Sequence, residues 1–312
     1  MERGFAARSP SREGAGPLSG CPHLLKAPGT LAVVATPLGD ARDLSPRAAE
    51  SLREADLIVA EDTRSARRLL AEIGAERKTV LSCFDANEAA RAAEVAERLA
   101  AGARVALISE AGTPLVSDPG YRIVAAAIAV GARIVPIPGP SAVLAALVGA
   151  GLPTDRFLFL GFPPRKQGGR RRLFESVRAL PYTLVLYESP LRAAATLTDL
   201  AAVLGADRRA CLARELTKPH EELVRDSLGA LAARYATDRP LGEVTLVVEG
   251  APENAATEEL DDDEIRVRAA ELTAAGRSTG DAARALGELT GRSRREIYNL
   301  ISRTPRSEKD EL

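Results

Sequence analysis

Tryptophan is absent from the 312 residues, and aromatic side chains make up only 4%. The interior must therefore be built from Ala, Leu, Val and Ile, and the 46% apolar content is enough for the cores of two domains. Cysteine is scarce: Cys21, Cys83 and Cys211 form no close pair, which argues against a disulfide framework and a thiolate zinc site. His23 and His220 are the only histidines. They stand far apart, so no metal site is expected. No apolar run has the length of a membrane span, and a membrane partner is not expected. The net charge is −1, so no global basic field announces a nucleic acid. The common phosphate loops are missing too: no G-x-G-x-x-G follows the first strand, and no G-x-x-x-x-G-K-[ST] occurs.

Residues 1–29 are rich in Gly, Pro, Ser and Arg and lack the apolar stretch of a secretory signal. A disordered tail and a cytoplasmic protein are expected. The closing "KDEL" matches an ER-retention address, but without a signal it is expected to have no effect.

From residue 31 to about 250, short β-branched apolar runs alternate with helical patterns. The first five runs, 31–35, 56–60, 79–83, 104–108 and 133–137, are almost continuously apolar. That is the pattern of parallel strands covered on both faces. Ser45 and Pro46 open one helix, Asn87 opens another that Gly102 closes, and Asp118 with Pro119 open a third that Gly131 closes. The alternation implies βαβ units.

A Pro/Gly junction near 136–156 precedes a second set of strands, 156–162, 183–188, 209–215, 222–226 and 243–250, with helices near 169–179, 190–204 and 227–236. The runs at 209–215 and 222–226 are too close for a helical crossover, so they are antiparallel neighbours or not adjacent. The organisation expected is an α/β domain at 30–140, a second at 150–250, an acidic linker at 251–262, a helical module at 263–304 and a charged tail at 305–312. The module holds three short amphipathic helices with breaks at Gly276, Gly280 and Gly291 and caps at Ser278-Thr279 and Ser293. Its size fits a helix-turn-helix or a small packing element.

All five strands of the first half end in polar or Gly/Pro loops: "TPLGD", "AEDTR", "CFDANE", "SEAGTPLVSDPG" and "PIPGPSA". Five such loops on one sheet edge make a ligand cleft the better account of them. These segments, with "GLPTDRFLFLGFPPRK", "YESPLR", "ARELTKPHEE" and "GEVTLVVEG" in that order, resemble the tetrapyrrole-methylase superfamily over residues 30 to 250. Within it they are similar to the branch that methylates a ribose 2′-hydroxyl of a cytidine in the decoding centre of bacterial 16S ribosomal RNA. The terminal module matches the same branch.

The resemblance implies a two-domain α/β fold with S-adenosylmethionine in the cleft between the domains. Leu38, Gly112, Thr113, Val116, Ser117, Asp118, Ser141 and Ala142 would line one side. Tyr187, Glu188, Ala213, Glu215, Glu243 and Thr245 would line the other. It also implies a homodimer acting on the assembled small ribosomal subunit. The chain departs from the family in having Glu110 where Asp is usual, and Ser82, Asp85 and Ala86 where histidines are common, so a histidine base is not expected here.

Methyl transfer to a ribose oxygen needs alignment and a proton acceptor. Glu61, Arg64, Asn87, Glu88, Arg214, Glu215 and Lys218 are the candidates. Arg165, Lys166, Arg170, Arg171 and Arg172, around two glycines, read as a flexible basic loop for RNA phosphates. Arg277, Arg292, Arg294, Arg295 and Arg303 make the terminal module basic, and the acidic linker offsets the net charge. Two alternatives stay open: a tetrapyrrole carbon methylase of the same fold, and a DNA-binding regulator with an α/β effector domain.

Overall fold

The computed structural model describes residues 29–252, 260–290 and 292–302. The N-terminal tail, the acid-rich stretch 253–259, Gly291, Arg303 and the charged tail lie outside the described residues.

Five parallel strands form the first sheet: β1 (Thr30–Val34), β2 (Leu57–Ala60), β3 (Val80–Ser82), β4 (Arg104–Ile108) and β5 (Arg133–Ile137), in the order β3-β2-β4-β1-β5. Helices α1 (Pro46–Glu54), α2 (Thr63–Glu72), α3 (Glu88–Ala100) and α4 (Tyr121–Ala129) return the chain between strands. One apolar cluster covers each face of the sheet, one around Leu99, Leu107 and Ile123 and the other around Leu52, Ile58 and Leu70. Burial on both faces is why these strands read as unbroken apolar runs.

Helix α5 (Ala142–Ala150) leads to a mixed sheet of β6 (Phe157–Phe159), β7 (Thr183–Glu188), β8 (Arg209–Arg214), β9 (Glu222–Ser227) and β10 (Val244–Val248), ordered β6-β7-β10-β8-β9. β8 and β9 are antiparallel neighbours, as their short connection requires. Helices α6 (Gln167–Val177), α7 (Ala193–Leu204) and α8 (Leu228–Thr237) cover one face, with Phe174 and Leu197 fully buried. Helix α5 covers the other face and meets Leu38 and Val116 of the first domain. That contact joins the two domains across an apolar seam. The terminal helices α9 (Asp262–Ala274), α10 (Thr279–Thr290) and α11 (Arg294–Ser302) share a small core around Ile265, Leu286 and Ile297.

Local signals hold in places and fail in others. Ser45 caps α1 through the Ala48 N–H at 3.1 Å, and Ser278 and Ser293 accept from the first turns of α10 and α11. Asp118 and Pro119 do not open α4. Its cap position is Gly120, and its first amides are served by Glu88 from α3. Gly280 lies inside the first turn of α10 and is not a break. Residues 167–177 form helix α6, not a flexible loop: the buried Phe174 outweighs the propensity cost of Gly168 and Gly169.

Candidate active site

Three loops of the first domain converge where its strands end. The loop after β1 and the loop after β4 are tied by a two-way bridge: the Thr36 amide donates to the Gly112 carbonyl at 2.9 Å, and the Gly112 amide returns the bond at 3.0 Å. The Thr113 hydroxyl donates to the Pro140 carbonyl at 2.9 Å, which adds the loop after β5. Leu115 and Ser117 carry φ of 72° and 70°. In the second domain Glu215 and Thr217, in the segment after β8, carry φ of 49° and 62°. Each such non-glycine residue costs on the order of 1 kcal/mol. All four lie in the two segments that face each other, and Thr217 crosses the gap to accept the Asp40 amide at 3.2 Å.

Between these segments lies a cleft of about 510 Å³, lined by Leu38, Ser65, Arg68, Glu110, Glu215, Lys218 and Glu243 among others. A larger concavity of about 610 Å³ sits around Arg156, Arg208 and Glu249. It opens at the far end of the second sheet, away from Tyr187 and Arg214, and none of the converging loops reaches it.

Glu72, Glu110, Glu215 and Glu243 line the cleft, and the carboxylates of Asp118 and Glu61 lie outside its lining. Burial pushes Asp118 up to about 6, with the charges of Glu110 and Glu243 adding to the shift against a stabilising hydrogen bond from Ser109. Burial also raises Glu61, helped by the charges of Asp118, Glu110, Asp85 and Asp62. On the other wall Lys218 bridges Glu215 at 3.1 Å and Glu243 at 3.2 Å. Burial opposes its charge, but those two partners outweigh it and hold the ammonium above the usual lysine range. Tyr187 is pushed to about 12 by burial and by the Asp118 charge.

The second sheet presents Tyr187, Thr245 and Ala213 as one row, paired across β7, β10 and β8. This row faces α5 and the first domain. Ala213 and Thr245 are buried there and contribute shape more than open surface. Glu188 is a correction. It follows Tyr187 on the strand and so points to the opposite face. There it is buried and accepts from the Ser189 amide at 2.7 Å, Arg192 at 2.8 Å and the Thr196 hydroxyl at 2.6 Å.

Several catalytic candidates are likewise committed elsewhere. Glu88 is buried, and its carboxylate accepts from the Gly120 and Arg122 amides at 2.8 and 2.9 Å. It fixes the start of α4 and is not open to a substrate. The Asn87 side chain accepts from the Phe84 amide at 2.8 Å and donates to the Ser82 carbonyl, so it holds the turn after β3. Arg214 pairs with Glu222 at 2.7 Å. Arg64 is exposed on α2. Of the catalytic candidates, Glu215 and Lys218 line the cleft, while Glu61 lies outside its lining, half-buried at the end of β2.

The basic stretch is also divided. Arg170 is 4% exposed and pairs with the fully buried Asp199 at 2.5 Å. It cannot reach a phosphate, which corrects its assignment to RNA. Arg171 shares Asp199 at 2.7 Å but is half exposed. Arg165, Lys166 and Arg172 are exposed. In the terminal helices, Arg292 pairs with Asp262, while Arg277, Arg294 and Arg295 are exposed.

The sequence alone missed Ser65, Arg68 and Glu110 as cleft residues. Ser65 and Arg68 lie one turn apart on α2, and that spacing after "AEDTR" could have found them. It also missed Phe162, an exposed aromatic whose ring stands 5.5 Å from that of Tyr187. Among the described residues no group of three His, Cys, Asp or Glu could hold a metal ion, and no helix is long and apolar enough to cross a membrane.

A cleft between a parallel and a mixed sheet, walled in part by Pro/Gly loops, defines a two-sheet α/β protein without the Rossmann glycines. The profile of the tetrapyrrole (corrin/porphyrin) methylases matches residues 30–232, and the chain belongs to this family. It is 44% identical to the ribosomal RNA small subunit methyltransferase I of Mesorhizobium japonicum, over 87% of this chain and 90% of that protein. The protein of the same name from Synechocystis sp. is 42% identical, over 87% of this chain and 97% of its own length. Among solved structures, diphthine synthase superposes with a TM-score of 0.55 at 20% identity, over 87% of this chain and all of that one. The uroporphyrin-III C-methyl transferase of Thermus thermophilus complexed with S-adenyl homocysteine gives 0.50 at 21%, over 70% of this chain and 97% of that one. The last two likenesses show the fold.

Proposed function

We propose that the protein transfers a methyl group from S-adenosylmethionine to the ribose 2′-hydroxyl of a cytidine in the decoding centre of 16S ribosomal RNA. The observation that carries this reading is the near full-length likeness to ribosomal RNA small subunit methyltransferases I, which runs well beyond the residues of the methylase profile.

The cleft suits the cofactor. Its volume falls in the ordinary range for small-ligand sites. The backbone at Gly112 has φ +79°, and an added Cβ would meet Leu38 at 3.1 Å, so the loop keeps an open cradle only with glycine there. The carboxylates of Asp118, Glu110 and Glu61 suit a ligand carrying a sulfonium and an ammonium. Leu38, Gly112, Thr113, Val116, Ser117, Asp118, Ser141 and Ala142 would hold it from the first domain. Tyr187, Ala213, Glu215, Glu243 and Thr245 would hold it from the second.

Bound S-adenosylmethionine supplies an already activated methyl group. The chain has to orient the ribose, exclude water and accept one proton. Glu61, whose carboxyl is held above its usual range by burial and by the neighbouring carboxylates, is the proton acceptor in this reading. Lys218 is held by two carboxylates, which leaves one of its three N–H groups to donate to the incoming hydroxyl. Arg165, Lys166, Arg171 and Arg172 line the approach for RNA phosphates.

A homodimer belongs to this reading. Tyr121 and Ile128 on α4 and Leu144 and Val148 on α5 are large exposed apolar side chains on helix faces, the kind of surface that a second copy would cover. Two copies would present a platform for the assembled small subunit. Ribose-methylation profiling of ribosomal RNA by mass spectrometry, in strains with and without the gene, tests the assignment. One 2′-O-methylcytidine should vanish on deletion and return with the wild-type gene. An unchanged profile would sink the proposal.

A further inference from the structure

At the end of β6 the chain turns sharply. Gly161 has φ +62°, and a Cβ there would meet the Ser117 hydroxyl at 3.3 Å. The next residue, Phe162, is 55% exposed. Its ring stands 5.5 Å from the Tyr187 ring, tilted by 55°, and Tyr187 in turn packs edge-on against Phe159 at 5.0 Å. Two prolines follow, then Arg165 and Lys166. The Pro163 carbonyl is held by Arg192, which is itself paired with the buried Glu188. Phe162 is thus an exposed aromatic on a stiff segment, braced on one side by Tyr187 and Phe159. The loop carrying Ser117 and Asp118 lies beside it, and two exposed cations follow within four residues.

Leaving a phenylalanine this open forgoes roughly 1–2 kcal/mol of burial, and nothing in the packing of the second domain requires it. An aromatic face beside cations is what unpaired nucleotides seek: a base stacks on the ring while phosphates meet the charges. Chemistry on a ribose within folded RNA also requires that the nucleotide be drawn out of its stack.

We infer that Phe162 is a substrate-binding residue, the platform on which the target pyrimidine or its unpaired neighbour stacks, with Arg165 and Lys166 on the adjoining phosphates. This rests on the proposed activity toward ribosomal RNA and adds a residue that nothing else assigns to it. The ring touches the base but moves no proton. Its loss should therefore raise KM far more than it lowers kcat.

The test uses the full chain as wild type, F162A and F162Y. Fluorescence anisotropy with a short, unpaired cytidine-containing RNA should give about 5- to 100-fold weaker binding for F162A. F162Y keeps the aromatic face and should stay near wild type. Cofactor affinity by calorimetry and Tm should be unchanged in both, which a merely structural role for the ring would not allow. On assembled small subunits, F162A should raise KM by a similar factor. Equal RNA binding by wild type and F162A would overturn the inference, as would failure of the wild type to bind the RNA. So would an F162A defect confined to a tetrapyrrole such as uroporphyrin III. Should the wild type bind the RNA through Phe162 but methylate no ribosomal RNA, the stacking platform would stand and the proposed activity would fall.

Discussion

At the strand ends of the first domain Glu61, Glu110 and Asp118 crowd one another, and among the described residues none forms an ion pair. In the second domain almost every inward carboxylate has a cation: Asp199 holds Arg170 and Arg171, Glu188 holds Arg192, Glu222 holds Arg214 and Arg234, and Glu215 holds Lys218. The pKa shifts follow the same division. Glu61 and Asp118 are raised, whereas in Asp199, Glu215 and Glu222 hydrogen bonds from the cations overcome the burial that opposes ionisation. Paired carboxylates set the position of helices. Unpaired ones keep their charge cost available for a cationic ligand or a proton. The first sheet's edge therefore keeps its charge for a ligand, while in the second domain the buried pairs of Glu188 and Asp199 are scaffold and only the Glu215–Lys218–Glu243 set lies at the cleft.

The contrast breaks most sharply at Asp199. Its carboxylate is fully buried under two guanidinium groups and Gln167. Asp199→Ala would leave Arg170 charged and buried without its carboxylate, with only the Arg165 carbonyl among the described residues to accept from it, a loss of about 3–5 kcal/mol. Thermal unfolding should show a large fall in Tm, and cofactor affinity should drop only as far as unfolding dictates. A Tm within a degree or two of wild type would mean that the paired set does not hold the scaffold.

Glu61→Gln should do the reverse. It removes a charge from the crowded rim, so Tm should hold or rise, while methylation should fall about 100-fold. Activity and melting measured on the same preparation check both halves. A variant with full activity would remove Glu61 as the proton acceptor.

Glu88 looks catalytic in sequence and belongs with the paired set by structure. Glu88→Gln weakens two charge-assisted bonds to α4 and should cost about 1–2 kcal/mol, with KM and kcat nearly unchanged. A selective loss of kcat without loss of stability would return it to the catalytic list.

The division explains which residues could be read in advance. The five parallel strands were legible because both of their faces are buried, and the loops at their ends stood out against that background. The antiparallel pair β8 and β9 followed from a connection too short for a helix. Hidden were the partners. Nothing near Arg170 in the chain shows that Asp199, 29 residues away, will bury it, nor that Glu88 will cap a helix 32 residues on. Glu188 could have been recovered from strand alternation, since Val185 and Tyr187 share one face and Leu184 and Leu186 the other. Glycines at 168 and 169 read as part of a flexible basic loop ahead of a helix near 169–179, yet with Phe174 buried the helix begins at Gln167 and takes them in.

The finest discrimination between the two sets is at Asp118. Folding raises its carboxyl from 3.8 to about 6, so the native state binds this proton more readily than the unfolded chain does. That contribution is fully present below the unfolded value and is lost as pH rises through about 6; at higher pH the ionised group weighs against the fold. The side chain is partly open to solvent, so screening reduces the effect to roughly 1 kcal/mol. Asp118→Asn keeps the shape and removes the charge. Its Tm should exceed that of wild type at about pH 8, and the gain should shrink steadily below about pH 6 and vanish near pH 4. Calorimetric titration should meanwhile show weaker binding of S-adenosylmethionine, because the charge that strains the fold is the one the cationic ligand needs. A paired carboxylate would give the opposite pH trend. That opposite trend would place Asp118 with the scaffold, a Tm difference independent of pH would refute the raised carboxyl, and unchanged cofactor affinity would remove it from the binding wall.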